Sequence, residues 1–268
     1  MKPKTETDVD LAGHAYWDDV WQHTGEHRVG HLSFFHYSLA RVFDRYATAG
    51  SRVCEVGCAD SAWIPYFLER GRHVTGIDYS ARGVDRLRAE LTRRGLHADL
   101  VVADVLDPEF RPDPTHDVVF SMGLIEHFRE PSSILRPLRG LLREGGFIVT
   151  VVPNLRGLWG KIQSRLDADV LALHIPYRPE EIDRVHSEAG FVAVEPAGYF
   201  ATFGPLIMNA PWIAKRYPRA YRIGTGAIWV VEQAIAWPAG VTLGRYSQSR
   251  TFSSHIVGVY RKVSTPAS

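Results

Sequence analysis

The stretches V-C-E-V-G-C-A-D-S at residues 53–61 and V-T-G-I-D-Y-S at residues 74–80 decide how this chain folds. In the first, an apolar strand runs into an acid, Glu55, and a turn built around Gly57; the second strand ends at Asp78. A strand-end acid, a tight turn and a second strand-end acid one βαβ step later form the arrangement with which open α/β sheets hold an adenosine-containing ligand. Ala59 and Ser61 stand where such turns usually carry further glycines, which predicts a reshaped loop.

Outward from these stretches, strand and helix signals alternate. Strands are predicted at 53–56, 73–77, 98–103, 117–122 and 146–152, with helices at 62–70, 81–94 and 132–142. A helix at 178–189, a strand at 190–199 and a last strand at 253–263 follow, the last expected to pair antiparallel as an edge strand. The fold expected is α/β, a doubly wound, mostly parallel seven-stranded sheet with helices on both faces. One domain spans residues 1–268: an N-terminal helical cap (1–48), a Rossmann-like core (49–200 and 251–264) and a helical insertion (201–250) before the last strand. The cap is rich in aromatics and histidines on a helical pattern broken at Gly25 and Gly30.

With 268 residues, 45% hydrophobic and 23% charged, the chain buries a substantial core. A net charge of +1 gives no overall pull toward nucleic acid and favours small-molecule chemistry. Two cysteines, Cys54 and Cys58, read as reduced packing residues, since no other cysteine completes a thiolate metal site. Residues 1–11 are polar and acidic with no basic region followed by an apolar run, so a cytoplasmic location is expected, as a monomer or homodimer. His23, His27 and His31 recur at helical spacing, but the intervening glycines and the lack of neighbouring acids argue against a metal.

Further along come Asp104 in V-V-A-D-V-L-D, F-S-M-G-L-I-E-H-F at residues 120–128 and G-G-F-I-V-T-V-V-P-N at residues 145–154. With these motifs in this order, the chain resembles the class I S-adenosylmethionine-dependent methyltransferases over roughly residues 52–190, and within them the small-molecule branch. The resemblance implies S-adenosylmethionine as cofactor and S-adenosylhomocysteine as product. Gly57 allows close backbone approach, Glu55 balances the cationic end, Asp78 accepts the ribose hydroxyls and Tyr79 flanks the adenine. The Asp104 carboxylate and the Val105 backbone N–H meet the adenine edge, and backbone carbonyls at Ser121 and Met122 accept from the ammonium group. Ala59 lies in the cofactor loop, and Tyr16, in H-A-Y-W-D at residues 14–18, belongs to an aromatic helix expected to cover the cofactor. Asp60, Asp85 and Asp107 read as helix caps or loop-solvating acids.

Methyl transfer from a sulfonium mainly requires alignment in a water-excluding site, with a general base where the acceptor carries a proton. His127, in I-E-H-F after the fourth strand, is the first candidate for that base; a structural histidine beneath the pocket is the alternative. His174 and Tyr177 rank second, and Glu126 reads as a pocket organiser. The expected reaction methylates an oxygen or nitrogen of a small, apolar or aromatic acceptor of secondary-metabolite type. The 201–250 insertion reads as a lid whose Phe203, Leu206, Ile207, Met208, Trp212, Trp229 and Trp237 wall that acceptor. Alternatively, its basic and aliphatic residues lay it on an anionic membrane to collect a lipid or quinone precursor, although no segment spans one. A nicotinamide oxidoreductase is disfavoured because Gly57 is followed by non-glycines, and a non-catalytic binding module is the remaining class.

Overall fold

The computed structural model describes residues 10–23, 33–59, 61–202, 211–243 and 249–263. Two helices, α1 (Gly13–His23) and α2 (Phe34–Tyr46), precede the first strand, β1 (Arg52–Val56). Then come α3 (Trp63–Leu68), β2 (His73–Asp78), α4 (Ala81–Arg93), β3 (Asp99–Val102) and β4 (His116–Met122). After a short 3-10 turn at Ile125–His127, α5 (Pro131–Leu141) leads into β5 (Leu142–Pro153). Two helices not expected from sequence, α6 (Leu158–Leu166) and α7 (Ala168–Ala172), precede α8 (Pro179–Glu188) and β6 (Phe191–Thr202). The insertion contributes α9 (Pro211–Arg216) and α10 (Pro218–Leu243) before β7 (Ser253–Lys262).

The seven strands form one sheet in the order β3-β2-β1-β4-β5-β7-β6. The first five are parallel, and β7 runs antiparallel to both β5 and β6. The antiparallel pairing of the last strand is as expected, but its edge position is not. β7 is interior, buried along most of its length, and β6 forms the edge. The edge strand carries Pro196 and two register shifts, at Ala193/Glu195 and Glu195/Gly198, devices that discourage pairing with another chain.

Alternation along the strands divides the core in two. Val53, Val118, Phe120 and Val149 face α2, α3 and α4, where Phe43 and Trp63 pack edge-on against Phe120. Cys54, Val119, Ile148 and Tyr260 face α5 and α8, through Leu135, Leu138 and Ile182. Helices on both faces bury the central strands twice over, which is why these strands read as nearly unbroken apolar runs. Both cysteines are free and buried. The strand order reverses between β1 and β4, and in open sheets of this kind the crevice at the carboxyl ends of those strands takes ligands.

Asn154, fully buried just past β5, ties the insertion shut. Its Nδ2 donates to the Arg250 carbonyl at 3.0 Å and the Ser253 carbonyl at 2.9 Å, and its backbone N–H donates to the Ser254 carbonyl at 2.8 Å. Asn154→Ala leaves two acceptors at the start of β7 without this donor. It should lower stability by about 1–3 kcal/mol, read as a reduced urea midpoint at unchanged slope.

Candidate active site

A cavity of about 950 Å³ opens at the carboxyl edge of the sheet, near the upper end of the range of roughly 300–1,000 Å³ typical of small-molecule sites. Along that edge Asp104 follows β3, Asp78 ends β2, Gly57 follows β1, and Met122 ends β4 with His127 five residues on, all on the cavity wall. Glu55, Tyr79 and Val105 also line it, so these eight residues, all singled out from sequence, meet in one space. Gly57 has φ +79°, a conformation that favours glycine, and its N–H donates to the Ile77 carbonyl at 2.9 Å.

The two missing glycines are compensated rather than merely absent. The Ser61 hydroxyl donates to Glu55 Oε2 and accepts from the backbone N–H groups of Trp63 at 3.0 Å and Ile64 at 2.9 Å, so it caps α3 and pins the loop at once. The Ala59 N–H donates to Asp78 Oδ2 at 3.0 Å, while its methyl packs toward Gly83 on α4. A Cβ on Gly83 would lie 2.3 Å from that methyl and 3.2 Å from Trp21, so the alanine methyl fits only because the facing helix carries glycine there. Ala59 itself is buried beneath the cavity wall and does not line it.

Asp78 also accepts from the Ser80 N–H through Oδ1 at 2.8 Å. Burial raises its carboxyl above the usual range, against the opposing effect of these two backbone donors. Burial likewise pushes Glu55 up to about 8, with the Ser61 hydrogen bond working the other way and the nearby Asp78 charge adding to the rise. Asp104 accepts from the Leu106 N–H through Oδ1 at 2.8 Å and faces His14 Nε2 with Oδ2 at 3.3 Å.

Helix α1 closes over this edge, with one correction to the sequence reading. Its cavity face is His14, Trp17 and Trp21, whereas Tyr16 does not line the cavity. Positions 14, 17 and 21 share one side of a helix turning about 100° per residue, and position 16 falls on another side. His14 stacks on Tyr79 with ring centroids 3.9 Å apart, and Trp17 stacks on Trp21 at 5.7 Å. The helix is latched at two points: the Ser80 hydroxyl donates to Asp18 at 2.6 Å, and the Leu11 N–H donates to the His127 carbonyl at 2.8 Å. Asp10, Ser33 and His36 complete the wall without having been anticipated from sequence. His36 and Ser33 pair through Nδ1 and Oγ at 2.6 Å, and the aromatic-rich pattern around residues 33–37 was their only advance signal.

His127 is buried on the cavity wall, its Nδ1 2.8 Å from the Leu173 carbonyl. A carbonyl only accepts, so Nδ1 carries the proton and Nε2 keeps its lone pair. Burial, together with neighbouring His174, lowers its pKa to about 3, and the ring is neutral across the physiological range. His174 is a second correction: its ring lies 4.4 Å from that of His127 but does not line the cavity, and its Nδ1 bonds the Val170 carbonyl at 2.8 Å. Tyr177 is buried off the wall, and so is Ser121, whose successor Met122 reaches the cavity instead. Glu126 is also buried; burial pushes it up to about 8, its Oε2 has no hydrogen-bond partner among the described residues, and its backbone carbonyl accepts from Ile175 at 2.7 Å. Of the insertion, Trp229 reaches the wall, while Trp237 packs on Phe34 and Tyr37. Phe203, Leu206, Ile207 and Met208 lie outside the described residues, as do Asp60, His27 and His31. Asp107 accepts from the Glu109 N–H, the loop role expected of it, whereas Asp85 neither caps a helix nor sits in a loop: it lies within α4 and pairs with Arg88 on the exposed surface.

Residues 54–150 match the family model described as a methyltransferase domain. Together with the fold, this match supports a class I, Rossmann-like S-adenosylmethionine-dependent methyltransferase. It is similar to the ubiquinone biosynthesis O-methyltransferase of Aromatoleum aromaticum, 26% identical over 204 residues covering 72% of this chain and 83% of that protein. The protein of the same name from Thiobacillus denitrificans is 25% identical, with 72% and 84% covered. A solved S-adenosylmethionine-dependent methyltransferase from Archaeoglobus fulgidus shares the fold at a TM-score of 0.55 and 16% identity, covering 86% of this chain and 95% of that one.

Two measurements check this geometry. Gly83→Ala should cost about 1–3 kcal/mol through overpacking against Ala59, and Ala59→Gly in the same chain should restore most of the melting temperature. The raised carboxyls set a pH dependence: Glu126 titrates near 8 in the fold against 4.5 ordinarily, so its contribution to stability is full below its ordinary value and is lost as pH rises through about 8. Glu126→Gln should therefore raise the melting temperature at about pH 9 and flatten its fall from acidic to alkaline pH, leaving the share due to Glu55.

Proposed function

We propose that this enzyme methylates a hydroxyl oxygen of a lipophilic, aromatic acceptor. The observation that carries the reading is a single cavity joining two strand-end carboxylates to an aromatic wall that includes a neutral, hydrogen-bond-oriented His127. The relatives' name, ubiquinone biosynthesis O-methyltransferase, supports oxygen over nitrogen and a quinone-precursor-like acceptor over a secondary metabolite.

The donor set fits the cofactor. Each carboxylate oxygen has two acceptor positions, so Asp78 keeps one free on each oxygen beside its bonds to Ala59 and Ser80, enough for two ribose hydroxyls. Asp104 would accept from the adenine amino group and the Val105 N–H would donate to the ring. Gly57 lets the backbone approach, and a cation near Glu55 would favour release of its proton. Bound S-adenosylmethionine supplies an electrophilic methyl group on a positively charged sulfur. The chain orients the acceptor, excludes water and moves one proton: His127 Nε2, held in its acceptor form by the Leu173 carbonyl, takes the hydroxyl proton as the oxygen becomes nucleophilic. A weakly basic imidazole suits an acidic hydroxyl such as a phenol better than an aliphatic alcohol. His14 covers one face of Tyr79, so a base stacking on that face displaces it.

S-Adenosylhomocysteine should raise the melting temperature and NAD should not. Asp78→Ala should weaken S-adenosylhomocysteine binding by about 10–100-fold, the worth of hydrogen bonds to a charged group, measured by calorimetry. With a catechol or alkylated phenol as acceptor, His127→Gln should lower kcat by about 10²–10⁴-fold at unchanged cofactor affinity. Full turnover by His127→Gln would overturn the base assignment, and a ligand-insensitive melting temperature would overturn the cofactor reading.

A further inference from the structure

Helix α10 is fastened along one side and bare along another. Gln233 Oε1 accepts from the Phe34 N–H at 2.9 Å and from Trp237 Nε1 at 3.0 Å, and the Trp237 ring lies 5.8 Å from Phe34 and 5.2 Å from Tyr37. Those contacts, with Trp229 on the cavity wall, fix which side faces the fold. Ile223, Ala227, Val230, Val231 and Ala234 fall within an arc of about 100° on another side, the width of an apolar stripe that normally packs on a core. Here the stripe is uncovered: Ile223 is 71% exposed, Val230 59% and Val231 51%. A Cβ added at Gly224 or Gly226, which flank it, would meet nothing within 4 Å.

The charge around the stripe indicates what covers it. Lys215, Arg216, Arg219 and Arg222 are all exposed at its N-terminal end. Across residues 201–250 the sequence has six cations, these four with Arg245 and Arg250, against the single acid Glu232. A second copy seated on the stripe would bring two such cationic ends into one interface, an arrangement that like-charge repulsion disfavours. An anionic bilayer complements both features, taking the cations at its phosphates and the stripe at the acyl boundary. Among the described residues no helix is long and apolar enough to cross a membrane, so the helix would lie in the surface plane.

We propose that α10 docks the enzyme on anionic membranes with the Trp229 side of the cavity next to the bilayer, so that the acceptor is collected from the lipid phase. The docking rests on the helix alone; collection of the acceptor rests on the proposed lipophilic substrate. The full chain should sediment with phosphatidylcholine vesicles containing phosphatidylglycerol at about one part in three, not with pure phosphatidylcholine, and high salt should release it. Arg219→Glu with Arg222→Glu should lower the partition at least tenfold. Ile223→Ser with Val230→Ser should lower it while leaving the melting temperature unchanged. Wild-type protein left in the supernatant with anionic vesicles at low salt would overturn the proposal, as would both variants binding like wild type. A wild-type dimer in light scattering that Ile223→Ser with Val230→Ser converts to monomer would assign the face to a second copy and overturn it too. The rise in melting temperature with S-adenosylhomocysteine is followed in the same samples: its absence defeats the cofactor reading without touching the vesicle result.

Discussion

Strand β1 lies parallel between β2 and β4, and helices cover both faces of the sheet here, so the middles of the central strands take mostly apolar side chains. Polar chemistry is thereby pushed to the strand ends, and parallel strands all end on the same side. Asp78, Asp104, Gly57 and His127 come from four distant parts of the chain and meet because this topology leaves them one common edge. The exception sharpens the rule: Glu55 sits within β1 and is buried, and burial there pushes its carboxyl up to about 8.

Protonation states follow from the same burial. His127 stays neutral because water is kept from its ring, and the Leu173 carbonyl decides which nitrogen holds the proton. His174 sits behind it as a second neutral ring rather than as a charged partner. Glu126, next to His127 in sequence, is held protonated by burial and has one oxygen without a hydrogen-bond partner among the described residues. The cavity's carboxylates sit at its strand-end edge and at Asp10, while its aromatic wall and the neutral His127 ring suit an acceptor that enters as a neutral, apolar molecule.

Much of this was legible in the sequence because strand-end acids and apolar runs are local signals. Glu55, Gly57, Asp78, Asp104 and His127 were placed on the cavity from motif and order alone. What failed was geometry that depends on phase or on partners. The segment H-A-Y-W-D points to Tyr16, but helical phase turns His14 and Trp17 to the cavity instead. His174 follows the fifth strand in sequence, yet the turn after α7 sets its ring behind His127. The interior position of β7 depends on a long-range pairing with β5 that nothing local encodes, since an antiparallel strand reads the same at the edge or inside. Ser61 reads in the sequence only as a departure from glycine, because its hydrogen bonds to Glu55 and α3 exist only once the loop is folded.

The facing pair Ala59 and Gly83 ties the loop after β1 to α4. Their backbones come close enough that one methyl fills the gap and two collide, at 2.3 Å between Cβ atoms. The loop and α4 are therefore coupled in what they accept: a side chain at 83 is admitted only with glycine at 59, and glycine at both leaves the contact without a methyl. Two positions on separate elements behave as one packing site, with room for a single methyl between them.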